Sequence, residues 1–189
     1  MIRAFLGLPL PPEIRGALQV QQFLLPLPRK VEPEEMHLTL VFLGDCPEAA
    51  LEAAHDGFCG LKAAGFPLAL QGLGLFGKER PHAVWAGVAP SAPLMQVQAR
   101  AETIARRAGC PVQARKFLPH VTLGRFPVPA PADALRIERA VALGHLVAGP
   151  WEVTELVLWQ SHPARKSGRY EVLARYPLAQ PAPGGGAGP

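Results

Sequence analysis

Two short stretches carry side chains whose types and spacing suit acid–base chemistry. They are His37-Leu38-Thr39-Leu40 and His120-Val121-Thr122-Leu123, one word, His-x-Thr-Leu, written twice 83 positions apart. The chain holds only 4 Thr and 6 His, so chance placement gives about 0.1 His-x-Thr pairs. Two imidazoles facing one ligand are equipped for attack at phosphorus. One takes a proton from the nucleophile and the other protonates the leaving oxygen, each near its own pKa at neutral pH. Hydroxyls beside them, from Thr39 and Thr122, donate hydrogen bonds to the non-bridging oxygens as charge builds there. No metal and no cofactor is expected, because Thr is a poor zinc ligand and the three Cys (46, 59 and 110) lack zinc spacing. Spacing alone leaves open which His is the acid and which the base.

Such residues must be held on strands. Both stretches lie in apolar runs, and on a strand positions i and i+2 share a face. His37 and Thr39 then point one way and Leu38 and Leu40 the other; His120 and Thr122 repeat the arrangement against Val121 and Leu123. Around them the pattern predicts strands over 2–8, 36–43, 66–75, 82–89, 117–126, 152–161 and 170–178, with a hairpin joining the third and fourth. Helices are expected from Pro11-Pro12-Glu13, with a stripe of Ile14, Leu18, Val20 and Leu24, from Pro47, from a Ser91 cap to Gly109, and from Asp133 to about Leu143. Each half runs strand, helix, motif strand, helix, strand. The expected fold is therefore α+β: a bilobed, duplicated α/β fold with two mainly antiparallel sheets facing across a central cleft and helices on the outer faces. It occupies 1–178 as one domain with pseudo-repeats 2–76 and 82–178, and 179–189 reads as a disordered Pro/Gly tail.

At 189 residues the chain is long enough for a full core. The net charge is +4, and Arg supplies 14 of the 19 basic residues; its planar fork suits phosphate, although a basic surface by itself proves no partner. Three scattered Cys read as reduced thiols, which points to the cytoplasm. No stretch reads as a membrane span or signal peptide, and nothing asks for a second subunit, so a soluble monomer is expected.

The residues also carry a family resemblance. His37-Leu38-Thr39-Leu40-Val41-Phe42-Leu43-Gly44, Pro119-His120-Val121-Thr122-Leu123-Gly124-Arg125, His82-Ala83-Val84-Trp85-Ala86-Gly87-Val88 and the closing Leu158-Trp159-Gln160-Ser161 with Gly168-Arg169-Tyr170-Glu171-Val172-Leu173 resemble the bacterial and archaeal RNA 2′,3′-cyclic phosphodiesterases, also described as 2′-5′ RNA ligases, of the two-histidine phosphoesterase superfamily. The resemblance implies hydrolysis of an RNA 2′,3′-cyclic phosphate end to a 2′-phosphate, with tRNA fragments among the candidate substrates and reversible 2′-5′ ligation as a second use of the site. It implies His37 as proton donor to the 3′ oxygen and His120 as proton acceptor from water. Arg125, which matches the family, is a candidate for substrate binding; strict alternation points it away from His120 unless Gly124 permits a bulge. His162, Arg165 and Tyr170 are further substrate-binding candidates, with Lys166 and Arg169 in the same basic loop. His82 stands where relatives often carry Arg, and it, His55 and His145 are expected at the surface or in packing. The rival reading is a non-catalytic RNA- or nucleotide-binding module using the same cleft, which would not need two titratable bases.

Overall fold

The computed structural model describes residues 1–77, 80–127, 129–165 and 168–180. Lys166 and the tail from 181 onward lie outside the described residues. The elements run β1 (Ile2–Pro9), α1 (Pro12–Leu24), a 3₁₀ turn (Pro33–Glu35), β2 (His37–Cys46), α2 (Glu48–Cys59), β3 (Phe66–Phe76), β4 (Ala83–Val88), α3 (Ala92–Arg107), β5 (His120–Arg125), α4 (Pro131–Leu143), β6 (Val147–Val153), β7 (Glu155–Ser161) and β8 (Tyr170–Pro177). The class is α+β, with every strand pair antiparallel.

One sheet replaces the two expected. Its order is β6-β3-β4-β5-β2-β1-β7-β8. The join is a single residue pair, Leu38 against Val121, between the two motif strands. Both side chains are fully buried, so the join is sealed by the core beneath it. Leu38, Leu40, Val121 and Leu123 enter the same apolar cluster as Leu18 of α1, Phe58 of α2 and Leu94 of α3. The apolar side of both motif strands thus belongs to the core that the helices cover, and the His and Thr side chains share the opposite face. Chain halves and sheet halves do not coincide: β3 lies between β4 and β6, and β1 lies between β2 and β7.

Three local expectations change. The run 152–161 holds parts of two strands, because β6 ends at Val153 and β7 starts at Glu155. Gly149 and Pro150, outside the expected strand, lie inside β6. Leu68 pairs with Trp151 and Leu70 with Ala148, so Gly149 and Pro150 together face Ala69 in an irregularity of an edge strand. Pro is tolerated there because it owes the ladder no hydrogen bond. The second motif strand is shorter than 117–126, starting at His120. Ala179, expected to open the disordered tail, exchanges backbone hydrogen bonds with Ala63 and Gly65.

Helix α1 presents a different stripe from the one expected. Ile14 and Leu18 are buried, but the stripe continues through Gln21 and Gln22, while Val20 and Leu24 face outward. At 3.6 residues per turn Gln22, not Val20 or Leu24, follows Ile14 and Leu18 on one face, and a polar anchor suits it to that place. The Gln22 amide donates from Nε2 to the carbonyls of Val31 (2.8 Å) and Leu123 (2.7 Å). The Val31 N–H donates to the same Leu123 carbonyl, and Lys30 forms a bridge to Gly124. The loop after α1 is thereby fastened along β5. Gly124 permits the approach, since a Cβ there would stand 2.7 Å from the Arg29 carbonyl oxygen.

Replacing Gln22 with Leu fills a similar volume but leaves the half-buried Val31 carbonyl without its donor. Such an orphaned acceptor costs about 1–3 kcal/mol. Urea unfolding of Gln22→Leu should show a loss of that size; a midpoint equal to that of the parent protein would mean the anchor holds nothing.

Candidate active site

The four motif side chains line one cavity of about 320 Å³. Antiparallel pairing centred on Leu38 and Val121 sets His37 across from Thr122 and Thr39 across from His120.

The two rings are held in the same way. His37 Nδ1 lies 2.7 Å from the carbonyl oxygen of Glu35, and His120 Nδ1 lies 2.7 Å from that of Leu118. A carbonyl only accepts, so each Nδ1 must carry the proton and donate it. In the neutral rings Nε2 is then the free base. The backbone two residues upstream fixes the tautomer at both sites.

Aromatic rings back each His. His37 stacks on Phe5 at 4.6 Å and meets the edge of Tyr170 at 4.9 Å, with Trp159 at 5.6 Å. His120 meets the edge of Phe76 at 4.9 Å and lies 6.1 Å from Trp85. These walls withhold water from the imidazolium form. Burial lowers the His37 pKa to about 4, against the partial support of the Glu35 carbonyl; the charges of Arg125 and His120 lower it further. His120 is lowered too, first by burial and then by Arg125 and Arg115. Burial raises the Tyr170 phenol, which stays protonated as a donor at the cavity wall.

The remaining candidates divide. Arg125 lines the cavity. Val84 pairs with Gly124 but Trp85 with Thr122, so Leu123 is an extra residue in β5. That irregularity breaks the alternation that would have turned Arg125 away. Tyr170 also lines the cavity. His162 and Arg165 do not: His162 Nε2 is 3.0 Å and Arg165 Nη1 3.7 Å from the Glu171 carboxylate. His82 is exposed, with Nδ1 3.4 Å from the Arg80 carbonyl oxygen. His55 bonds the Tyr176 hydroxyl at 2.8 Å, far from the motifs in the fold.

Sequence reasoning missed one whole wall, made of Arg29, Lys30, Val31 and Glu32. The signal was a basic dipeptide just before the first motif, in a Pro-bounded loop that had no assigned partner. Arg169, noted in the basic loop, lines the opposite side with its Nε 3.8 Å from Glu35 Oε1. Among the described residues no helix is long and apolar enough to cross a membrane, and the three Cys are unpaired.

The chain is similar to several known proteins. The family model described as the 2'-5' RNA ligase superfamily matches residues 10–165. An RNA 2',3'-cyclic phosphodiesterase of Escherichia coli (strain K12) is 33% identical, covering 94% of this chain and 97% of that protein. One from Geobacillus stearothermophilus is 32% identical over 82% of this chain, and the match spans only 49% of that longer protein. Among solved structures, E. coli LigT complexed with 3'-AMP superposes with a TM-score of 0.79 at 30% identity, covering 95% of this chain and 99% of that one. TT0787 of Thermus thermophilus gives 0.76 at 30% identity, covering 95% and 99%. With the family model matching most of its length, the chain belongs to the 2'-5' RNA ligase superfamily.

Proposed function

We propose that the chain hydrolyses the 2′,3′-cyclic phosphate at an RNA end to a 2′-phosphate, without a metal, by a paired-His mechanism. The observation that carries this reading is the matched pair of imidazoles in one cavity, each with Nδ1 committed to a backbone carbonyl and Nε2 left to exchange a proton. The names of the relatives, RNA 2',3'-cyclic phosphodiesterases, support the substrate class.

His120 Nε2 takes a proton from water as the water oxygen attacks phosphorus. The bond from phosphorus to the 3′ oxygen breaks, and His37 Nε2–H protonates that oxygen. The product is a 3′-hydroxyl beside a 2′-phosphate, and the site is left with the proton moved from one ring to the other. Thr39 and Thr122 donate to the non-bridging oxygens, and Arg125 faces their negative charge. A 5′-hydroxyl in place of water gives 2′-5′ joining by the same steps.

The acid must be charged when it acts, yet burial keeps free His37 neutral at neutral pH. The cyclic phosphodiester supplies the remedy. Its negative charge offsets Arg125, which otherwise lowers both pKa values, and favours the imidazolium directly. Substrate and proton therefore bind together.

Two outcomes test this. His37→Ala and His120→Ala should each cut hydrolysis of adenosine 2′,3′-cyclic phosphate by about 10²-fold or more, with thermal unfolding little changed and the parent activity surviving EDTA. Full activity in either variant removes the mechanism, and tight RNA binding without turnover would favour the binding module instead. The pH profile gives the second. Both free His titrate below their usual 6.5, so kcat/KM, which reports the free enzyme, should peak below that pH. The peak in kcat, which reports the complex, should lie higher. Coincident peaks would show that substrate charge does not feed the acid its proton.

A further inference from the structure

Beyond the cavity, α1 leaves an aromatic ring unused by the core. Phe23 is 80% exposed at the C-terminal end of the helix, next to Val20 and Leu24, which also face outward. The Lys30 ammonium stands over that ring, 5.9 Å from its centroid. Lys30 also lines the catalytic cavity. One side chain thus links the site of chemistry to an exposed π-face. The backbone that carries Lys30 is fixed, because Lys30 is bridged to Gly124 and its neighbour Val31 is bonded to Leu123.

We propose that Phe23 and Lys30 form a subsite for the nucleotide preceding the cyclic end, with its base stacked on the Phe23 ring and the connecting phosphodiester held by Lys30 and Arg29. This rests on the phosphodiesterase reading above and makes a polynucleotide, rather than a mononucleotide, the preferred substrate. Charge supports that occupant. Among the described residues Arg29 and Lys30 have no carboxylate partner, whereas Arg169 lies near Glu35 and Arg165 near Glu171. The cation on the ring would have to be desolvated under an apolar protein surface, but a nucleic acid brings a phosphate to it and a base to the ring. Once the terminal phosphate sits among the four motif side chains, a strand leaving past Lys30 meets Phe23 next.

The subsite separates two substrates. Stacking one base on an aromatic side chain is worth about 5- to 150-fold in affinity. Phe23→Ala should lower kcat/KM by a factor in that range for a short RNA ending in 2′,3′-cyclic phosphate, and leave adenosine 2′,3′-cyclic phosphate unaffected. Phe23→Trp should restore the RNA rate. An unchanged ratio between the two substrates overturns the subsite. Loss of self-association in Phe23→Ala, seen by sedimentation with the ratio unchanged, would instead assign the patch to a second copy of the chain. If the parent protein turns over neither substrate, the phosphodiesterase reading fails by itself. Fluorescence anisotropy with a 3′-phosphate-ended oligonucleotide then still tests the subsite, because weaker binding by Phe23→Ala supports it and equal binding ends it.

Discussion

The pairing of Leu38 with Val121 is the contact on which the site depends. It joins two four-stranded sets into one sheet at its middle. Because side chains alternate across a strand, burying that pair on the core face puts His37, Thr39, His120 and Thr122 on the other. Sliding either strand by one residue would exchange the Leu/Val face for the His/Thr face and put imidazoles into the apolar core. The cluster of Leu38, Leu40, Val121 and Leu123 therefore enforces the register that puts both His on the cavity side, as well as stability.

Around that pair the site sets two demands against each other. Acid–base exchange needs rings that titrate near the working pH, while precise orientation needs rings that are packed. Packing dominates at His37: Phe5, Trp159 and Tyr170 surround it, and its pKa falls to about 4. Phe5 is itself 1% exposed yet lies outside the main apolar cluster, so its burial comes from the aromatic group around His37. The backbone carbonyls of Glu35 and Leu118 work against the desolvation by bonding Nδ1–H, which the charged and neutral rings both retain. Nε2 of each ring is left free, and in the proposed mechanism a bound phosphodiester would supply the missing charge there.

What the sequence disclosed was what local periodicity encodes. The His-x-Thr alternation, the Ser91 cap, which accepts from the Leu94 N–H at 3.3 Å, and the left-handed Gly109 could all be read from neighbours in the chain. What it hid were choices made by distant partners. Gln22 looks like a surface residue until its amide finds Val31 and Leu123, although it stands one turn after Leu18 on the buried face, with Val20 and Leu24 turned outward. No strand was expected just before 152, yet β6 pairs with β3 from Val147, with Gly149 and Pro150 opposite a single residue. Two sheets were expected because a repeat suggests two bodies, and a one-pair bridge leaves no mark in composition. His162 and Arg165 sit in a basic loop, but Glu171 draws both aside.

The same anchor ties the cavity wall of Arg29 and Lys30 to the second motif strand. Arg29 and Lys30 have no helix or long strand of their own to position them. They are held because Gln22 grips Val31 and Leu123 together and because Gly124 has no Cβ to push Arg29 back. Leu123 and Gly124 are also where β5 departs from its regular register, the departure that brings Arg125 to the cavity. One irregularity thus serves both sides: it admits the loop that carries two cations on one flank and redirects a third from the strand itself. Arg125 and the wall of Arg29 and Lys30 are fixed to a single point on β5, one residue beyond Thr122. A shift of that point would move three cavity-lining cations together relative to His120, so in the proposed mechanism this stretch of backbone would couple anion binding to proton transfer.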